Sequence, residues 1–126
     1  MLDKTMKVLI ADDYQTMRGV IRNLFNLLGL ENTDEAGTTD EALEKLAKND
    51  YGLVIFDWTT GPLSGEDFFE KVRADERLKK IPFIVISAKS DSELTEKMRL
   101  AGAADFIAKP FNKATLEKRL KSLFGE

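Results

Sequence analysis

Leu53-Val54-Ile55-Phe56-Asp57-Trp58 is a short apolar run interrupted by a carboxylate. Four successive apolar residues without alternation read as a strand buried on both faces, the kind found inside a parallel sheet. Thr59-Thr60-Gly61-Pro62-Leu63-Ser64-Gly65 follows and reads as a turn. Aspartate has poor strand propensity, so an acid ending such a strand is either a turn-former or a working group. Residue 57 alone does not separate the two readings. The strands around it do.

Lys7-Val8-Leu9-Ile10-Ala11 is a second apolar run, closed by Asp12-Asp13, and Pro82 introduces a third, Phe83-Ile84-Val85-Ile86-Ser87. Asp105-Phe106-Ile107-Ala108 is a last short strand, ended by Lys109-Pro110, and Thr33 to Ala36 reads as a more polar one. Helical periodicity fills the gaps. From about Tyr14 to Leu28, the residues Met17, Val20, Ile21, Leu24 and Leu28 form one stripe, with Gly29 as the stop. Thr38-x-x-Glu41 is a capping box for a helix to about Lys48, with Ala42, Leu43, Leu46 and Ala47 inward. Gly65 to Ala74 turns Phe68, Phe69 and Val72 inward. Ser90-x-x-Glu93 opens a fourth helix carrying Leu94, Met98 and Ala101, closed by Gly102. Asn112 caps a fifth, with Leu116, Leu120, Leu123 and Phe124 as its stripe.

Five strands alternating with five helices predict an α/β fold, a single doubly wound parallel sheet with helices on both faces. No linker interrupts the pattern, so residues 1–126 read as one domain.

Composition removes several chemistries. The chain has neither cysteine nor histidine, which excludes disulfides, thiolate or imidazole metal ligands, and Ser-His-Asp catalysis. A net charge of −3 gives no general attraction to nucleic acid or anionic membrane. There is no signal-peptide pattern and no apolar run long enough to span a bilayer, so a cytoplasmic protein is expected. Residues 31–50 hold seven acids against two lysines, whereas residues 109–121 hold five basic residues against Glu117. These are either solvated faces or, for the basic one, part of a partner surface.

In an open parallel sheet, ligands bind beyond the carboxyl ends of the strands. Those ends carry Asp12, Asp13, Asp57, Ser87 and Lys109. Two carboxylates at about 4 Å repel by about 4 kcal/mol at an effective dielectric near 20, so three acids together want a cation. Oxygen-only ligands suit Mg²⁺. A carboxylate can act as a nucleophile and form an aspartyl phosphate, and a lysine with Mg²⁺ would neutralise the transferring phosphoryl group.

The ordered set Asp12-Asp13, Asp57-Trp58, Ser87-Ala88 and Lys109-Pro110-Phe111 resembles the receiver domains of two-component response regulators, particularly the stand-alone, CheY-like chemotaxis members. The resemblance spans essentially the whole chain. It implies the sheet order 2-1-3-4-5. It implies that Asp57 accepts a phosphoryl group from a sensor histidine kinase or phosphotransfer protein. Mg²⁺ would be held by Asp13 and Asp57, by Asp12 mainly through water, and by the backbone carbonyl of Thr59. Lys109 would pair with the phosphoryl oxygens. Ser87 and Phe106 would move together as the switch, remodelling the face of the fourth helix, fifth strand and fifth helix that meets a target protein. A phosphatase is a further partner; nucleic acid and membrane insertion are not implied.

The sequence departs from the family pattern in places. Phe106 stands where Tyr is common, Ser87 where Thr is commoner, and Gly61 where a proline usually follows the acceptor, with Pro62 next. Thr59 and Lys89 flank the phosphate position, so an altered phosphate lifetime is expected. Other readings stay open: Asp13 as the first helix's N-cap, Ser87 as a plain strand-end hydroxyl, and Arg99, Phe106 and Lys113 as a solvated face. At the level of function, the alternatives are a phosphate-independent interaction module and a Mg²⁺-dependent aspartyl phosphatase. The Asp-x-Asp of haloacid-dehalogenase-like phosphatases is absent, since Asp12-Asp13-Tyr14 stands there. The signalling protein is expected not to be an enzyme in the turnover sense, apart from its own phosphorylation and dephosphorylation chemistry.

Overall fold

The computed structural model describes residues 4–57, 65–87, 96, 99–100, 102–108 and 111–125. Five strands, β1 (Val8–Ala11), β2 (Thr33–Ala36), β3 (Leu53–Asp57), β4 (Phe83–Ser87) and β5 (Asp105–Ala108), form one parallel sheet in the order β2-β1-β3-β4-β5. Among the described residues, the helices are α1 (Gln15–Leu27), α2 (Thr39–Lys48), α3 (Gly65–Arg73) and a C-terminal helix (Lys113–Leu123), with a 3₁₀ turn at Leu78–Lys80. Four α-helices are thus described where five were expected. The helix expected from Ser90 lies mainly outside the described residues, of which Glu96, Arg99 and Leu100 have helical backbone.

The inner strands alternate between two cores, as the period of two requires. Leu9, Ala11, Val54, Phe56, Phe83 and Val85 face α2 and α3 and pack with Leu46, Phe68, Phe69 and Val72. Val8, Ile10, Leu53, Ile55, Ile84 and Ile86 face the other way, against Ile21 and Phe25 of α1 and Leu116 and Leu120 of the C-terminal helix. Both faces are dry, which explains why these strands read as unbroken apolar runs. On the first face, Phe56 stacks on Phe68 at 4.5 Å, while Phe69 and Phe83 meet edge to face at 5.2 Å.

Helix ends follow their local chemistry. Thr38 Oγ1 accepts from the Glu41 amide at 3.0 Å, and Glu41 Oε1 reaches back to the Gly37 amide at 2.8 Å. Asn112 Oδ1 accepts from the Thr115 amide at 2.9 Å. Gly29 ends α1 at φ +86°, a backbone region open to glycine.

Two expectations on helix faces are corrected. Val20 is 46% exposed and Ala47 is exposed, whereas Phe25 and Thr39 are buried. The buried stripe of α1 centres on Ile21 and Phe25, one helical step of about 100° from Val20.

Candidate functional site

The register between β1 and β3 pairs Val8 with Leu53 and Ala11 with Phe56. One position further, Asp12 follows Ala11 as Asp57 follows Phe56, so the two acids occupy adjoining strand ends. β1 connects onward to β2 on one side while β3 lies on the other, so these ends flank the point where the winding reverses. Asp12 is 1% and Asp57 3% exposed. Burying a carboxylate is costly unless it is compensated, so two at neighbouring positions mark a site organised around positive charge.

The N-terminus of α1 shapes this corner. Tyr14 holds the N-cap position without a side-chain cap, and its amide donates to Asp12 Oδ1 at 2.9 Å. Asp13 is therefore not the N-cap. It stands exposed between the buried Asp12 and the exposed Tyr14, beside the positive end of the helix dipole.

The backbone of Asp12 is held from both sides. Its amide donates to the Ala36 carbonyl of β2 at 3.1 Å, and its own carbonyl accepts from Arg18 Nη1 at 2.5 Å. Arg18 Nε meets Glu35 Oε1 at 3.1 Å, and Arg22 Nη1 meets Glu35 Oε2 at 2.5 Å. Lys45 Nζ donates to the Glu35 carbonyl. Sequence reasoning missed Arg18 and Glu35.

Ser87 closes β4, one residue past Ile86, which pairs with Asp57, and it pairs in turn with Ala108. Phe106 lies in β5 opposite Val85, half-buried against the core that contains Phe56. The register thus brings Asp12, Asp57 and Ser87 to three consecutive strand ends. Thr59, Lys89 and Lys109, with Gly61, Pro62 and Pro110, lie outside the described residues.

A cation fits this donor set in part. The ligands are oxygen only, which suits Mg²⁺. Among the described residues, no three acidic side chains are grouped so as to hold a metal by themselves. That leaves the arrangement Mg²⁺ usually takes, one or two carboxylates with water filling the remaining positions.

An open parallel sheet with buried acids at its winding reversal defines a doubly wound α/β protein whose working crevice lies at the carboxyl edge. The profile of the response regulator receiver domain matches residues 8–121, and the chain belongs to that family. It is 41% identical to the chemotaxis protein CheY-3 of Vibrio cholerae over 123 residues, covering 98% of this chain and 95% of that protein. The structure of the chemotaxis response regulator CheY4 of Vibrio cholerae superposes with a TM-score of 0.87 at 28% identity, covering 94% of this chain and 98% of that one. The same fold occurs in the receiver domain of a sensor histidine kinase of Pseudomonas aeruginosa, solved with a magnesium ion in its active site cleft. That match has a TM-score of 0.86 at 24% identity, covering 97% of this chain and 99% of that one.

Among the described residues, no helix is long and apolar enough to cross a membrane.

Proposed function

We propose that the protein acts as a response regulator receiver in a two-component phosphorelay, in which Asp57 accepts a phosphoryl group. The observation that carries this reading is the buried pair Asp12 and Asp57 at adjoining ends of β1 and β3. In the transfer, a carboxylate oxygen of Asp57 forms the new O–P bond while the P–N bond of the donor phosphohistidine breaks, and the imidazole ring leaves with a proton. Asp57 is held for this by its pairing with Ile86 of β4, directly after Phe56, which pairs with Ala11 of β1, so its approach to the donor is fixed by the sheet rather than by a loop. Asp13 and Asp57 would hold Mg²⁺, with Asp12 acting through water and the Thr59 carbonyl completing the protein ligands. When bound, the ion neutralises the charge that spreads over the phosphoryl oxygens. Lys109 would pair with one of those oxygens, and the Ser87 hydroxyl would hydrogen-bond another.

The output is a protein-binding surface. Ser87 and Phe106 sit at the end of β4 and within β5, so a shift of one is transmitted to the other through paired backbone. The face formed by the predicted fourth helix, β5 and the C-terminal helix would then meet the target. The donor is a sensor histidine kinase or phosphotransfer protein, a phosphatase can end the signal, and the setting is the cytoplasm. The similarity to chemotaxis proteins makes motility control the first process to examine. The protein turns over no external substrate and is not an enzyme in that sense.

The test is intact mass after incubation with Mg²⁺ and acetyl phosphate, acid-quenched over a time course, with Asp57→Ala alongside. One added phosphoryl group in the wild type alone is the expected result. Labelling retained in Asp57→Ala would overturn the acceptor assignment. A wild type that stays unmodified with acetyl phosphate and with a panel of kinases would favour the phosphate-independent module.

A further inference from the structure

We propose that Arg18 is a positioning residue that sets the Asp12–Asp13 peptide, and with it the placing of the Asp13 carboxylate toward Mg²⁺; the metal part of this rests on the function proposed above. A carbonyl and the next amide share one rigid plane. Fixing the Asp12 carbonyl therefore fixes the point from which the Asp13 side chain departs. Arg18 Nη1 takes that carbonyl at 2.5 Å, while the Asp12 amide is already held by Ala36 at 3.1 Å. With both edges of residue 12 bonded, the corner between β1 and α1 has little freedom left.

The guanidinium is itself fixed. Its side chain is 16% exposed, and its Nε is bonded to Glu35 at 3.1 Å, so it bridges β2 to the site. A Cβ at residue 37 would lie 3.2 Å from Arg18 Nη1, and glycine there leaves the group its room. Glu35 also offsets the guanidinium charge, which limits how far Arg18 would repel a cation held by the acids. Arginine suits the task because its planar fork serves two acceptors in fixed geometry, which an ammonium does not. Partners that orient metal ligands typically cost about 10-fold or more in metal affinity when removed.

The experiment is a Mg²⁺ titration followed through the fluorescence of Trp58, the one tryptophan of the chain, together with hydrogen exchange of the Tyr14 amide in the metal-free protein. Arg18→Ala should raise the Mg²⁺ dissociation constant about 10-fold. It should also speed exchange at Tyr14 while leaving the amides of β3 unchanged, a local signature that general destabilisation would not give. Arg18→Lys should recover only part of the affinity. A folded Arg18→Ala with wild-type Mg²⁺ affinity overturns the positioning role. If the wild type gives no Mg²⁺ response, the metal reading fails, and the Tyr14 amide alone decides whether Arg18 holds the corner. Should Arg18→Ala not fold, Glu35→Ala leaves the arginine in place without its anchor. Several-fold weaker Mg²⁺ binding is then expected, and wild-type affinity overturns the proposal.

Discussion

The Tyr51 hydroxyl donates to Asp34 Oδ2 at 2.6 Å, joining the residues that lead into β3 to the edge strand β2. Lys7 Nζ lies 3.4 Å from the same carboxylate and 5.5 Å from the centre of the Tyr51 ring. The Tyr51 hydrogen bond and the Lys7 charge hold the Asp34 carboxyl below its usual range, while burial and the Asp34 contact push the Tyr51 phenol above its own.

The sign of the pH dependence follows from those directions. Asp34 titrates lower when folded, so its contribution is present above about pH 4 and is lost as acid protonates it. Tyr51 titrates higher when folded, so its contribution is present below about pH 10 and is lost as alkali ionises it. Tyr51→Phe should cost about 1 kcal/mol at neutral pH and flatten both limbs of the stability profile. Urea unfolding across pH would measure this, and a profile parallel to the wild type would refute it.

Asp12→Asn should stabilise the metal-free protein. Adjacent strands lie about 4.8 Å apart, and carboxylates near that separation repel by about 3 kcal/mol at an effective dielectric near 20. Asparagine keeps an oxygen for the Tyr14 amide while removing one charge. A gain of about 1–2 kcal/mol in thermal unfolding is expected, discounting that repulsion for relaxation, and it should shrink when Mg²⁺ is added. An unchanged or lowered midpoint without metal would count against two repelling acids at this edge.

Phe68→Ala should be far more damaging. The ring is fully buried and stacks on Phe56, the residue before Asp57. About 3–5 kcal/mol is expected from the lost transfer energy and the cavity left behind. Denaturant unfolding would show it; a loss below about 1 kcal/mol would mean that the neighbouring rings close the space.

Arg77→Ala tests how the end of α2 is held. Arg77 Nη2 reaches the Leu46 carbonyl at 2.5 Å, and Nη1 reaches the Asn49 carbonyl at 3.0 Å and Asp50 Oδ1 at 2.8 Å. Helix-end carbonyls have no partner within the helix, so this side chain supplies one. About 1 kcal/mol of stability should be lost, with faster amide exchange in the last turn of α2. Unaltered exchange there would show that water replaces the arginine without cost.

The strands were the most legible part of the sequence. Val8–Ala11, Leu53–Asp57 and Phe83–Ser87 are apolar up to their last residue because both sheet faces are covered, and few arrangements besides a doubly covered sheet produce such short unbroken runs. Asp12, Asp57 and Ser87 were legible for the same reason, since each stands where an apolar run stops. Helix faces were harder to read. Val20 and Leu24 both fit an apolar stripe, and only the packing of Phe25 on the sheet fixes how α1 is turned. The Arg18–Glu35 bridge was not legible, because its partners lie 17 residues apart on different elements and a charge pattern carries no distance.

The parallel arrangement of the sheet has an evolutionary consequence. Every strand runs the same way, so the acids gather at one pole, while Lys7 and Tyr51 lie at the opposite pole, just before β1 and β3 begin. Substitutions at that far pole can alter robustness with little effect on the reactive edge. Changes that retune the reactive edge can in turn be offset by compensating changes a full strand length away. A lineage can therefore adjust the chemistry of the carboxyl edge and heat tolerance along largely separate axes.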